Sequence, residues 1–138
     1  MGMPTDIDAR RFYRVALQRL EEGELLVDRL RRYNAAVYLT GYATECILKA
    51  LLITVTPAAE REEVARSFRG SLGHDLLWLR RRLAARSVSL PPPEARELAY
   101  VSSWSVNLRY EPGAGVEEDA RRFIDATRII VRWADGRL

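Results

Sequence analysis

Apolar side chains recur along the chain at the spacing of an α-helix, alternately three and four residues apart. The first stripe predicts a long helix and consists of Phe12, Ala16, Leu20, Gly23, Val27 and Leu30. Thr5 and Asp6 precede it as candidate N-caps, and Gly23 would let another backbone approach closely. A second helix is predicted over residues 33–55, where apolar residues cover most of the circumference. We expect this helix to be central and buried, and to pack antiparallel to the first across the short connection at 31–34.

The second half of the chain predicts further helices, separated by glycine and proline. The charged stretch 60–67 is expected to form a short helical piece, and a third helix is expected to begin near His74. Three consecutive prolines at 91–93 predict a stiff, extended connector that closes this helix. A fourth helix is expected over 94–104, and the last over about 116–136.

No run of residues alternates between apolar and polar at the two-residue period of a strand. The pattern therefore predicts an all-α fold, an antiparallel helical bundle of about five helices. We expect a single domain over residues 1–138, with an ordered core over about 6–136. Because Glu45 and Lys49 interrupt the most apolar stretch, we expect no membrane-spanning segment. The N-terminus lacks the residue order of a signal peptide, so we expect a cytoplasmic protein.

Composition limits the chemistry that this domain can perform. The single cysteine, Cys46, excludes an internal disulfide, and with the single histidine, His74, it excludes a zinc site built from cysteine and histidine. We expect neither a bound metal nor a cofactor. The net charge is +3, but the segment from Arg66 to Arg86 holds six arginines against one acid, Asp75, and carries +5. This segment is either a basic patch for nucleic acid or an acidic partner, or a solvated helix end.

Glu45 and Lys49 lie one helical turn apart inside the most apolar predicted helix. An unpaired charge is costly there, so we interpret them as an ion pair that also bonds to hydroxyls such as those of Tyr38 or Tyr42. The functional alternative is that one of the two charged groups orients another group in a cleft between helices.

His74 is the only side chain whose ordinary pKa lies near neutrality. It precedes Asp75 at a predicted helix start, where a histidine is most often a capping or packing residue rather than a general base. A nucleophile pair of Cys46 and His74 is conceivable. However, Cys46 lies on a small-residue face that is typical of a core.

The segment 104–112 ends the fourth predicted helix and contains Trp104, Asn107, Arg109 and Tyr110. Arg109 and Asn107 are candidates to bind a phosphate by paired hydrogen bonds, while Tyr110 or Trp104 stacks on a base. The alternative is helix capping, with Arg109 bonded to carbonyls and Trp104 in the core.

Together these segments resemble one family, the HEPN domains (higher eukaryote and prokaryote nucleotide-binding). Residues 33–52 resemble its second helix and read YNAAVYLTGYATECILKALL. Residues 73–76 and 104–110 are similar, in the same order, to later landmarks of one bacterial branch. The resemblance runs from about Ala9 to Trp133. It implies a bundle of about five helices that forms a symmetric homodimer, often beside a minimal nucleotidyltransferase partner.

Many members that this sequence resembles are metal-independent ribonucleases, whose motif is an arginine followed four to six residues later by a histidine. Arg109 matches the arginine by position, but residues 110–116 contain no histidine. Arg69 and His74 have the right spacing at the wrong place, before the third helix. The motif is therefore incomplete, and Tyr110, with an ordinary pKa of about 10, is a poor base at neutrality.

The resemblance implies a domain that binds RNA or a nucleotide, with a ribonuclease of a toxin–antitoxin or defence system as its catalytic form. Arg109 and Tyr110 are then the catalytic candidates. The candidate binding residues are Trp104, Asn107, Glu45, Lys49, His74 and Asp75. The alternative is a noncatalytic dimeric module that recruits a nucleotidyltransferase or another partner. We further expect Arg109, Tyr110, Glu45 and His74 to approach one another around a single cleft.

Overall fold

The computed structural model describes residues 2–138, which form six α-helices and no strand. The helices are α1 (Ile7–Asp28), α2 (Tyr33–Val55), α3 (Arg61–Ser67), α4 (Leu76–Ala85), α5 (Pro92–Val101) and α6 (Glu117–Asp135). Short 3-10 turns lie at Ala58–Glu60, Ser71–His74 and Val106–Tyr110. The predicted all-α bundle is confirmed, and the predicted number of five helices is close to the observed six.

Helices α1 and α2 form the predicted antiparallel hairpin, the most extensive helix pair of the fold. Asp6 caps α1, because its carboxylate accepts hydrogen bonds from the backbone N–H groups of Asp8 and Ala9 at 2.9 and 3.0 Å. A side chain at Gly23 would collide with that of Thr40, so this glycine sets the closeness of the two helices. The prediction was wrong only for the last residue of the apolar stripe. Helix α1 ends before Leu30, and this side chain is exposed.

Helix α2 is the centre of the bundle and contacts α1, α4 and α6. Every residue from 43 to 53 is buried. By length and composition α2 is apolar enough to cross a membrane, although we expected Glu45 and Lys49 to prevent this. However, 78% of its most apolar window is buried against the rest of the fold, and burial in a bundle core accounts for this apolarity.

The later helices begin and end somewhat differently from the prediction. Helix α4 begins at Leu76 with Asp75 as its N-cap, so His74 lies before the helix, in the preceding turn. Helix α5 begins at Pro92, within the prolines that were predicted to form an extended connector. Proline fits the first helical turn because its missing N–H has no helical partner there. Helix α5 also ends at Val101, which places Arg109 on the Val106–Tyr110 turn and not at a helix end.

Candidate functional site

One side of α2 carries a row of four polar side chains, and we call it the α2 polar row: Tyr38, Tyr42, Glu45 and Lys49. Their spacings of four, three and four residues place them on one face of the helix. The sequence predicted that the tyrosine hydroxyls bond to the charged pair. Instead they bond to each other, with 3.2 Å between the two oxygens, and the rings of Tyr38 and Tyr42 meet edge to face.

Glu45 and Lys49 form the predicted ion pair, with 2.7 Å between Nζ and Oε2, and are only 3% and 4% exposed. The second carboxylate oxygen of Glu45 lies 2.9 Å from Nδ1 of His74. An ionised carboxylate can only accept, so the Nδ1–H of His74 donates to Glu45, and Nε2 is left for another partner. The ion pair of the first interpretation is therefore present without the tyrosine hydroxyls, and the paired glutamate also holds the imidazole of His74.

His74 is 42% exposed at its side chain and lines a groove of about 440 Å³. The opposite wall of this groove is the segment 102–106, which follows α5. The ring of Tyr42 bridges the two walls, because it contacts the imidazole at 6.1 Å and the indole of Trp104 at 4.9 Å between centroids. Asp75 also lines the groove, but its carboxylate caps α4 by accepting from two backbone N–H groups.

Trp104 is a packing residue. It is 5% exposed, and its indole Nε1–H donates to the backbone carbonyl of Tyr38 at 3.1 Å. A base cannot stack on a ring that is buried in this way, so Trp104 does not serve as the stacking surface that the sequence suggested. Its effect is to hold the segment after α5 against α2.

Arg109 and Tyr110 are exposed on the Val106–Tyr110 turn, at the Tyr38 end of the α2 polar row. The guanidinium lies 4.9 Å from the centre of the Tyr110 ring, which is 72% exposed. Interaction with the Tyr110 phenol, and secondarily with that of Tyr38, raises the pKa of the Arg109 guanidinium. Among residues 2–138 no carboxylate forms an ion pair with Arg109, whose charge is therefore available to an anion. Asn107 is exposed on the same turn.

The α2 polar row connects the predicted site residues without placing them in one cleft. Arg109 acts electrostatically on Tyr42, and Tyr42 contacts His74, which bonds to Glu45. The groove beside His74, however, is not lined by Arg109 or Tyr110. No hydrogen bond or ion pair joins Arg109 to His74 in the described chain. The four residues expected around one cleft thus share a side of the bundle but occupy adjacent places on it.

Cys46 and Arg69, which the sequence did not favour as site residues, lie apart from the groove beside His74. Burial raises the pKa of the Cys46 thiol to about 12, so Cys46 is a core residue and not a nucleophile paired with His74. Arg69 and His74, which have the spacing of the ribonuclease motif, line two different clefts. Within residues 2–138 no group of three or more histidine, cysteine, aspartate or glutamate side chains is arranged to hold a metal ion.

The basic segment 66–86 is only partly neutralised. Arg86 pairs with Glu60 at 3.4 Å, and Arg82 lies over the ring of Trp78 at 4.7 Å. Arg66 forms a long, exposed pair with Glu62 at 3.7 Å. Four arginines of the segment have no acidic partner in the described part of the chain: Arg69, Arg80, Arg81 and Arg82.

The sequence model of the HEPN domain matches residues 9–137, nearly the whole chain. No curated protein and no solved structure matches it. The family match agrees with the all-helical bundle and indicates a role related to nucleotides or RNA. The chain therefore belongs to the HEPN domain family.

Proposed function

We propose that this HEPN domain binds single-stranded RNA through Arg109 and Tyr110. The observation that carries the proposal is an exposed guanidinium that no carboxylate neutralises, placed against an exposed aromatic ring. A guanidinium binds phosphate by charge-assisted hydrogen bonds, and an exposed tyrosine offers a surface on which an unpaired base stacks. The pairing of both groups on one short turn suits a nucleotide unit of a single strand.

Neighbouring groups extend this surface. Asn107 projects from the same turn and supplies an amide that both donates and accepts. Ser105 caps the turn, because its hydroxyl accepts from the backbone N–H of Asn107 at 3.2 Å. The indole of Trp104 anchors the chain just before it. The binding surface is thus mounted on the core by packing, although its own side chains are exposed.

Arg109→Ala is expected to weaken RNA binding roughly 10- to 100-fold, the value of a charge-assisted hydrogen bond. Fluorescence anisotropy with a labelled single-stranded RNA measures the affinity over a range of salt concentrations. The slope of log affinity against log salt should become shallower by about 0.7, because the variant neutralises one phosphate fewer. Tyr110→Ala should weaken binding without changing this slope.

The matched control is Arg81→Ala, which removes an exposed, unpaired arginine from α4 and changes the net charge equally. It should bind RNA as the parent does. If Arg109→Ala and Arg81→Ala bind alike, the surface at Arg109 is not the RNA site.

Metal-independent RNA cleavage is the second candidate, and the hydrogen bond from His74 to Glu45 favours it. This bond fixes the imidazole of His74 through Nδ1. Because His74 lines the groove, its Nε2 is left to transfer a proton there. The RNA from the binding experiment, incubated in excess chelator, supplies the test. Cleavage that disappears in both Arg109→Ala and His74→Ala supports a ribonuclease. Intact RNA at high protein concentration removes this candidate and leaves a binding domain.

We also propose that the protein is a homodimer, since HEPN domains commonly dimerise. The location that we propose for it is the cytoplasm. Exposed tryptophans are typical of protein interfaces. Trp104 and Trp133 do not mark one here, because both are buried in the core of a single chain. Light scattering should give twice the 15.8 kDa mass of the chain. A monomer at all concentrations contradicts this. A noncatalytic dimer that recruits a nucleotidyltransferase is the alternative if RNA binding is absent.

A further inference from the structure

A second cleft lies between the start of α1 and helix α3, away from Arg109. Its volume is about 580 Å³, within the size range of small-molecule sites. Helix α1 contributes Asp8, Arg11 and Phe12, and Lys49 of α2 reaches it from inside the bundle. The remaining wall comes from α3 and the residues after it: Glu62, Ala65, Arg66, Phe68 and Arg69. We call it the α1/α3 cleft.

The charge of the α1/α3 cleft favours an anion, because three arginines line it against two acids, while its lysine, Lys49, is paired with Glu45. Both acids are held only weakly by their neighbours. Asp8 meets Arg11 at 3.3 Å and Glu62 meets Arg66 at 3.7 Å, and all of these side chains are well exposed. Exposed pairs of this kind contribute little and exchange partners readily. Arg11 and Arg66 are therefore available from opposite walls of the cleft.

Arg69 strengthens this bias. It is exposed and has no acidic partner among residues 2–138, and it stands three residues after Arg66. Arg69 lies just after α3, where its backbone N–H donates to the carbonyl of Arg66 at 3.2 Å, and the side chains of both residues line the cleft. Arg66 and Arg69 thus form a pair of guanidinium groups on one wall, with Arg11 on the other. Planar guanidinium groups match the oxygens of phosphate better than ammonium groups do.

The ammonium of Lys49 lies at the inner end of the cleft. It lies between the rings of Phe12 and Phe68, 5.5 and 5.3 Å from their centres, and pairs with Glu45 behind it. The two phenylalanines meet edge to face at 5.7 Å. The cleft thus offers cations at its rim and apolar rings with one buried cation deeper inside.

We propose that the α1/α3 cleft binds a small anion that carries two or more phosphate groups. Arg66 and Arg69 hold one phosphate, Arg11 holds the other from the opposite wall, and Lys49 lies at the inner end of the cleft beside the phenylalanine rings. The site is distinct from the RNA surface, because Lys49 follows Tyr38 by eleven residues of helix, about 16 Å. The proposal therefore does not depend on RNA binding at Arg109. Inorganic tripolyphosphate and a nucleoside triphosphate share the chemistry that it requires.

Lys49 gives the test an internal reporter, because it is the only lysine in the sequence. Its side-chain NMR signals should shift on titration with tripolyphosphate, while calorimetry measures the affinity. The variant with both Arg66→Ala and Arg69→Ala should bind at least about tenfold more weakly, because it loses charge-assisted hydrogen bonds. Both arginines are exposed, so the fold is retained, and circular dichroism verifies this.

Two controls separate this site from others. A variant with Arg80→Ala and Arg81→Ala removes the same charge from α4 and should bind tripolyphosphate as the parent does. Arg109→Ala should also leave the affinity for tripolyphosphate unchanged, although it weakens RNA binding. A nucleoside triphosphate that binds more tightly than tripolyphosphate indicates that its base reaches the phenylalanines, and equal affinities indicate recognition of phosphate alone.

The proposal is overturned if tripolyphosphate fails to bind, or if binding does not shift the signals of Lys49. It is also overturned if the Arg66 and Arg69 variant and the Arg80 and Arg81 variant lose affinity equally, since the anion then responds only to net charge. Single-stranded RNA that shifts Lys49 while tripolyphosphate does not would show that the cleft serves RNA instead.

Discussion

Glu45→Ala is expected to lower the free energy of unfolding by about 3–5 kcal/mol, because it leaves the buried ammonium of Lys49 without a counterion. Lys49 is 4% exposed and has two aromatic faces beside it, which are a weak substitute for a carboxylate. His74 loses its acceptor in the same variant. Urea unfolding at neutral pH, followed by circular dichroism, measures the loss.

The comparison that isolates the cause is the replacement of both charges by Glu45→Met with Lys49→Met. Removing a buried ion pair as a whole is often nearly neutral or stabilising, since neither charge remains to be desolvated. His74→Ala should cost much less than Glu45→Ala, because the imidazole is partly exposed. If the double variant is destabilised as much as Glu45→Ala, poorer packing and not the unpaired charge is the cause.

Local sequence patterns were sufficient to predict the most apolar helix and the last, amphipathic helix. The second helix has the predicted bounds, Tyr33–Val55, and the last runs over Glu117–Asp135, close to the predicted 116–136. Asp6 was one of two candidate caps and is the residue that bonds to the first turn of α1. In each case the deciding interactions lie within a few residues along the chain, so a local pattern contains the information.

The fourth helix of the prediction corresponds to α5 and shows where a local pattern is not sufficient. We expected this helix to start after the prolines and to continue through Trp104. In the structure the helix ends at Val101, and Trp104 turns onto α2, where its indole bonds to the carbonyl of Tyr38. That partner is 66 residues away along the chain. Packing between distant segments outweighs local preference here, and it also moves Arg109 from a helix end to a separate turn.

In the candidate site, too, contacts within one helix could be predicted, whereas contacts between distant segments could not. The pair of Glu45 and Lys49 was predicted, because its members are one turn apart on a helix that must be buried. The hydrogen bond of Glu45 to His74 joins residues 29 apart and depends on how the Ser71–His74 turn packs on α2. The α1/α3 cleft likewise joins Arg11 to Arg66 and Arg69 across distant parts of the chain. The only sequence signal for it was the +5 segment, which does not identify the opposite wall.

Gly41→Ala is expected to destabilise the fold by about 3 kcal/mol, because an added methyl group would overlap the indole of Trp104. The obstacle is a buried ring and not the flexible end of a side chain, so either the ring or α2 must move. Gly41 lies in α2 one residue before Tyr42, whose ring also contacts that indole. Thermal or urea unfolding measures the loss, and the fluorescence of Trp104 should shift to longer wavelength as water reaches it.

Gly136→Ala is the matched control, since a methyl group there meets its nearest atom at 3.6 Å, an ordinary contact, and its φ of −64° suits any residue. Its effect should stay within about 1 kcal/mol. Adding Trp104→Phe to Gly41→Ala should recover part of the lost stability, because a smaller ring makes room for the methyl group.

The displacement of Trp104 in Gly41→Ala also moves the turn that carries Arg109, so this variant should weaken RNA binding while the protein is still folded. Gly41→Ala with the stability and RNA affinity of the parent would show that the closeness of α2 to Trp104 does not position the binding surface.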